Sequence, residues 1–141
     1  MKDKTFIVLS ATFFLLFAIA TATLTLNNPL SQILRAKDVA PSPLKSFGVV
    51  FPQVGVSGAT KIKVSIYIRD VNGGLLPNRA VKLSSDSEVV SITPSDTQNT
   101  NSIGQAEFFI TSSESGKVNI NAIDVATNTN VVNIPSVEFT Q

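Results

Sequence analysis

Cysteine and histidine are both absent from this chain of 141 residues. Without cysteine there is no disulfide, no thiolate metal site, no sulfur nucleophile and no lipid-modified cysteine anchor. Without histidine the usual metal ligand and the usual general base near neutral pH are missing. Charge is sparse as well. The net value of +1 gives no electrostatic reason to expect nucleic acid as a partner. No Asn-x-Ser/Thr acceptor occurs, no Asp-x-Asp-x-Asp-Gly calcium loop occurs, and Gly73-Gly74 opens no helix that could cradle a phosphate. Ser84-Ser85 and Ser112-Ser113 have no histidine or evident lysine base to activate them. These absences lead us to expect no catalytic residue, no metal, no cofactor and no small-molecule substrate.

The apolar content is 43%, and much of it is concentrated near the start. From Thr5 to Leu26 there is no charge, and none returns until Arg35. As an α-helix this stretch rises about 33 Å, enough to cross a hydrocarbon core of about 30 Å. Phe6, Leu15, Leu16, Phe17 and Leu24 are its bulky apolar side chains of interest. Lys2 and Lys4 precede the run, which favours a cytoplasmic N-terminus and an extracytoplasmic remainder. Two readings stand. Residues 1–26 form a permanent single-pass signal anchor in the cytoplasmic membrane, or a signal peptide cut after Ala18-Ile19-Ala20 or Ala20-Thr21-Ala22. In the second case the remainder is secreted. A type IV pilin also joins an apolar helix to a β domain, but its marks are missing. Thr5 stands where that family has a small residue, usually Gly, and Ser10 where it has a Glu.

Residues 27–46 carry Pro29, Pro41 and Pro43, each of which removes a backbone donor and biases its predecessor toward extended backbone. We expect a spacer here. Charge also divides the chain. Through Phe47 five basic side chains face two acidic ones, a balance of +3; from Gly48 onward six face eight, a balance of −2.

From 47 to 141 the pattern turns to period two. Ile62, Val64, Ile66 and Ile68 alternate with Lys61, Lys63, Ser65, Tyr67 and Arg69, which describes a strand with one buried and one wet face. Val81 and Leu83, then Ala106, Phe108 and Ile110, then Val118, Ile120 and Ala122 repeat the alternation. Ile123 and Val125 shift the phase in the manner of a bulge, and Val131 to Phe139 reads as a closing strand whose Pro135 marks an edge or a bulge. Upstream, Phe47, Val49 and Phe51 read as one face of a strand interrupted by Pro52. Val89 to Ile92 adds a short strand ending at Pro94. About seven strands with closely spaced turns predict an all-β sandwich with Greek-key connections. Its core is drawn from Ile62, Val64, Ile66, Ile68, Val81, Leu83, Phe108, Ile110, Val118 and Ile120. Asp70 and Asn72 are expected to shape a turn, and Asp86, Glu88 and Asp96 to be solvated.

The order of these segments resembles a known family. An alternating strand leads into Asp70-Val71-Asn72-Gly73, then Pro77, then a second strand through Leu83. Gly104-Gln105-Ala106 opens a strand that closes on Thr111-Ser112, and Gly116 leads the next strand to Ala122. Together, over 47–139, they resemble the bacterial Ig-like domain of the invasin/intimin type. The resemblance implies an Ig-like sandwich used as a spacer or adhesive module on cell surfaces. Many members stand in tandem arrays with a separate tip domain; here one module is seen and nothing follows Gln141, so long reach is not expected of this chain by itself.

The functional expectation is a non-enzymatic cell-envelope protein. It is attached to the membrane through its N-terminal helix and presents one Ig-like domain for adhesion or protein–protein contact. The alternative is a structural or accessory subunit of a larger envelope assembly, using edge-strand pairing. Tyr67 and Phe109 are expected to face outward and to mark a contact patch for a protein partner, since aromatic residues are enriched at interfaces.

Overall fold

A computed structural model describes residues 4–26 and 39–141, the side chains of 22–26 excepted. It divides into two units, one ending at Asp38 and one running from Val39 to Gln141.

Among its described residues the first unit holds one helix, α1 (Lys4–Leu26), with no acidic residue in its first turn and no basic residue in its last. By length and composition alone it is able to cross a bilayer. Phe6, Leu15, Leu16 and Phe17 are all exposed along it. Leu24 lies within the helix, but its side chain is outside the described residues.

The second unit is made of eleven strands among the described residues: β1 (Phe47–Phe51), β2 (Val54–Val56), β3 (Ile62–Tyr67), β4 (Ala80–Ser85), β5 (Val90–Thr93), β6 (Thr97–Asn99), β7 (Gln105–Ser112), β8 (Gly116–Val118), β9 (Ile120–Asp124), β10 (Thr129–Val131) and β11 (Val137–Thr140). One sheet runs in the order β1-β3-β7-β5, a second β10-β9-β4-β6, and a short third β2-β11-β8. All pairings are antiparallel except that β11 lies parallel to β2. This is an Ig-like β-sandwich.

Alternation explains the core. Ile62, Val64 and Ile66 on β3 and Ala106, Phe108 and Ile110 on β7 point inward, against Val81 and Leu83 on β4 and Ile120 and Ala122 on β9. Val118, Val137 and Phe139 extend the same cluster. All ten core residues expected from the sequence are buried.

The structure orients β1 and corrects two expectations. On β1 the inward residues are Gly48 and Val50, whereas Val49 and Phe51 are exposed. The reason is space: a Cβ on Gly48 would stand 2.9 Å from Ile134 Cγ2, so the inner site takes no side chain and the large residues turn outward. The run 116–124 has no phase shift. It breaks at Asn119, where the chain passes from the third sheet to the second, and the inward position after Ala122 is Asp124. Val131 to Phe139 is not one strand either. β10 and β11 belong to different sheets, and Pro135, which has no N–H to give a ladder, lies in the crossing between them.

Residues 41–46, read above as the end of the spacer, are packed onto the sandwich. Pro41, Ser42 and Ser46 are buried, Pro41 bridges to Asp70, and Ser46 Oγ accepts from Arg69 N at 3.1 Å.

One turn depends on a glycine. Gly104 has φ +71, and a Cβ there would stand 2.8 Å from the Ile68 carbonyl oxygen and 3.1 Å from Leu76 N. Both neighbours are backbone and cannot move aside. Gly104→Ala is expected to cost more than about 1 kcal/mol, from left-handed strain plus this collision. The drop in urea midpoint relative to the unchanged chain measures it.

Candidate functional site

The outward face of the β1-β3-β7-β5 sheet is the surface with the most exposed apolar side chains on the sandwich's strands. Its rows follow from the register. Phe47 stands opposite Tyr67, Val49 opposite Ser65, and Phe51 opposite Lys63. Across the next ladder Lys63 faces Phe109, Ser65 faces Glu107 and Tyr67 faces Gln105. Thr93 completes the Phe51–Lys63–Phe109 row.

Tyr67 is therefore outward, but it is half-covered. Its ring stacks on Phe47 with centroids 5.0 Å apart and planes 17° apart. Arg69 Cζ lies 5.5 Å from the centre of the Phe47 ring, a cation–π contact. Phe109 is 38% exposed. The two residues share a face but are not neighbours. Tyr67 and Lys63 are four positions apart on β3, so the Tyr67 and Phe109 rows are separated by about 13 Å. Between them runs a polar seam. Lys63 Nζ lies 2.6 Å from Glu107 Oε1, and Gln105 Nε2 donates to the same oxygen at 2.9 Å.

Beside Phe109 the structure adds two residues that the sequence grouped with Phe47 on one face of β1. Phe51 is 77% exposed and Val49 is 47% exposed. They turn a pair of separate aromatic spots into an apolar band along the β1 side of the sheet. The signal that could have found them is Gly48 itself, since a glycine at an inward position leaves the flanking bulky residues to face out. The opposite face, on the second sheet, is polar by contrast, with Lys82, Ser84, Asn121 and Asn130 exposed or half-exposed.

Away from this face the sequence reading missed a buried ion pair. Asp124 is fully buried and accepts from Arg79 Nε at 2.9 Å and Arg79 Nη2 at 2.6 Å. Thr127 adds its N–H at 3.0 Å and its hydroxyl at 2.6 Å. Burial pushes this carboxyl up, but the bonds from Arg79 and Thr127 outweigh it and hold it below its ordinary 3.8. Thr100 positions Arg79: its buried hydroxyl accepts from Arg79 N at 2.9 Å and donates to Leu76 O at 2.7 Å. The pair is closed off by these partners and offers no open position for a substrate.

Asp86 is exposed, as expected, and it has a structural role besides. It accepts from Asn119 N at 2.9 Å and Asn119 Nδ2 at 2.7 Å, and those bonds lower its pKa. They pin the point where β8 gives way to β9. Asp70 accepts from the N–H groups of Asn72 and Gly74 at 2.8 and 2.7 Å, the turn-forming role its sequence suggests. Among the described residues no group of three or more His, Cys, Asp or Glu is placed to hold a metal ion.

The described residues from Val39 onward thus define an Ig-like sandwich with an apolar outer face, a fold that by itself assigns no activity. A family model for the bacterial Ig-like domain (group 1) matches residues 52–140, and the chain belongs to that family. No curated protein matches the chain. Among solved structures it is similar to the D00-D0 domain of intimin, with 20% identity and a TM-score of 0.55, over 70% of this chain and 50% of that one. It is similar to a C-terminal 282-residue fragment of intimin in complex with the intimin-binding domain of the translocated intimin receptor, with 19% identity and a TM-score of 0.59, over 71% and 33%. It is also similar to the Yersinia pseudotuberculosis adhesin InvE, with 15% identity and a TM-score of 0.58, over 71% and 33%. The chain thus spans half or less of the structures it matches, and at these identities the likeness establishes the intimin-type Ig-like fold.

Proposed function

We propose that this chain is a non-enzymatic envelope protein. It holds one Ig-like domain on the outer side of the cytoplasmic membrane for contact with another protein or a neighbouring cell. Residues 1–26 act as a retained signal anchor, the spacer follows, and the contact module includes 41–46, which pack onto the sandwich, together with 47–141. The observation that carries this reading is the apolar band of Val49, Phe51 and Phe109 on an otherwise wet sheet face, with Tyr67 and Phe47 along the same face. The intimin fragment's complex with its receptor, and the adhesin role in the name of InvE, support protein contact as the use of such a module.

The test uses cells that display the full chain. Phe51→Asp is expected to reduce attachment to its partner surface several-fold and to change domain stability by less than about 0.5 kcal/mol, as an exposed site should. Adding Phe109→Thr should remove what remains. Unchanged attachment in both variants defeats the assignment of this face. Recovery of the chain in a complex of fixed stoichiometry, with attachment absent, favours the accessory-subunit reading. Intact mass of the membrane fraction separates the anchor from a cleaved leader: a chain beginning at Met1 supports retention, and one beginning at Thr21 or Thr23 refutes it.

A further inference from the structure

The loops of the sandwich gather at two poles, and the poles differ. At the first, 41–46, 69–79 and 101–104 are tied together. Ser42 N donates to Arg69 O at 2.7 Å, Ile68 N to Gly104 O at 2.8 Å, and Leu76 N to Ile68 O at 3.2 Å. At the other, 57–60, 86–89 and 113–116 meet; Gly58 N donates to Ser112 O at 2.8 Å and Ser113 N to Val89 O at 3.3 Å.

The first pole shows solvent four large apolar side chains at its loop tips: Leu44 at 76% exposure, Val71 at 67%, Ile103 at 49% and Leu75 at 46%. The loops of the other pole show none. Charge is divided in the same sense. Exposed Lys45 and half-buried Arg69 lie at the first pole, where the carboxylate of Asp70 is occupied by two backbone N–H groups. Asp86, Glu88 and Glu114 lie at the other, with Lys61.

Single exposed apolar residues are ordinary, but four on one set of loop tips beside basic side chains match the boundary of an anionic bilayer. The chain's own course selects that occupant. The described part of the sandwich begins at Val39, and Pro41 bridges to Asp70 at this same pole. Only residues 27–38 separate it from the end of α1, a reach of at most about 40 Å. A bilayer that holds α1 is thus within reach of these loops.

We propose that this pole is a lipid-contact surface. Leu44, Val71, Leu75 and Ile103 seat among the headgroups of an anionic phospholipid bilayer, exposed Lys45 faces the phosphates, and the acidic pole is turned away. The inference rests on the retained anchor proposed above.

Because the chain has no cysteine, one introduced cysteine is a unique label site. The full chain carrying Leu44→Cys, Ile103→Cys or Ser115→Cys is labelled with a polarity-sensitive fluorophore. It is then reconstituted into phosphatidylglycerol–phosphatidylcholine vesicles whose lipids bear a quencher just below the headgroups. Most of the fluorescence is expected to be lost at 44 and 103, and almost none at 115. Lys45→Glu, or vesicles of phosphatidylcholine alone, should reduce the loss. If the chain floats with the vesicles but no label is quenched, the lipid surface is refuted while the anchor stands. Equal quenching at all three sites overturns the assignment to one pole. Energy transfer between chains labelled at 44, without lipid quenching, gives the pole to a second copy instead. A chain that does not float with vesicles defeats the anchor and this inference together.

Discussion

Replacing Ile66 by Asp is expected to abolish the cooperative unfolding transition of the sandwich. Ile66 is fully buried on β3, between Gly48 of β1 and Ala106 of β7. A carboxylate there meets only apolar neighbours and backbone groups already committed to ladders. An isolated buried charge costs more than the about 5–15 kcal/mol that holds a domain together, unless the group takes up a proton, and even a neutral carboxyl leaves its polar atoms unmatched. Ile66→Ala, which leaves a cavity but no polar atom, should cost about 2–5 kcal/mol and retain a cooperative melt. Lys63→Ala, three residues away on the wet face, removes only a half-exposed pair with Glu107 and should cost less than about 1 kcal/mol. Circular dichroism melts of the three variants rank them. A cooperative, near-normal melt for Ile66→Asp would falsify the assigned face.

The second large effect is expected at the buried ion pair. Asp124→Ala should cost about 3–5 kcal/mol, because it removes the carboxylate bonded to the Arg79 guanidinium, whose side chain is only 13% exposed. Replacing both partners by apolar residues of similar volume, Arg79→Met with Asp124→Leu, should cost clearly less than the single change. The same site gives a pH dependence. The folded Asp124 carboxyl titrates below its ordinary 3.8, so its contribution is complete above that value. As pH falls through and below it, the unfolded chain takes up the proton first and the contribution is lost. Urea midpoints measured from neutral pH down through the carboxylate range should therefore fall more steeply in the unchanged chain than in Asp124→Ala. Parallel curves would show that the pair carries no such linkage.

The parts of this fold legible in the sequence are those where large apolar residues mark the inward face. β3, β4 and β7 fall in that class: Ile62 to Ile66, Val81 and Leu83, and Ala106 to Ile110 all lie inward in the expected phase. The reading failed where the inward residue is not apolar or has no side chain. Gly48 carries no hydropathy signal, so Phe47, Val49 and Phe51 could be grouped on one face without its being legible that this face is the outer one. Asp124 carries the opposite signal, so Ile123 and Val125 were taken for a bulge, although 118, 120, 122 and 124 keep one phase. Its partner Arg79 lies 45 positions away in the chain, and no local pattern joins them. The candidate face was half legible. Tyr67 and Phe109 point outward as alternation requires, but only strand order reveals that Phe51 joins Phe109 while Tyr67 stacks on Phe47.

The parallel pairing of β2 with β11 has a mechanical consequence. Glu138, Phe139 and Thr140 lie beside Val54, Gly55 and Val56, so a strand near the start of the sandwich and its last strand run the same way, side by side. The chain enters at the Asp70 pole, while Thr140 O accepts from Ser57 N near the other. A tensile load between an anchored entry and a partner gripping the far end pulls these two strands in opposite directions along their common axis. Their hydrogen bonds then share the force in shear and must fail together, instead of unzipping one after another. Under the retained anchor and partner contact proposed above, such a module would stiffen the joint between membrane and partner in the direction in which it is pulled.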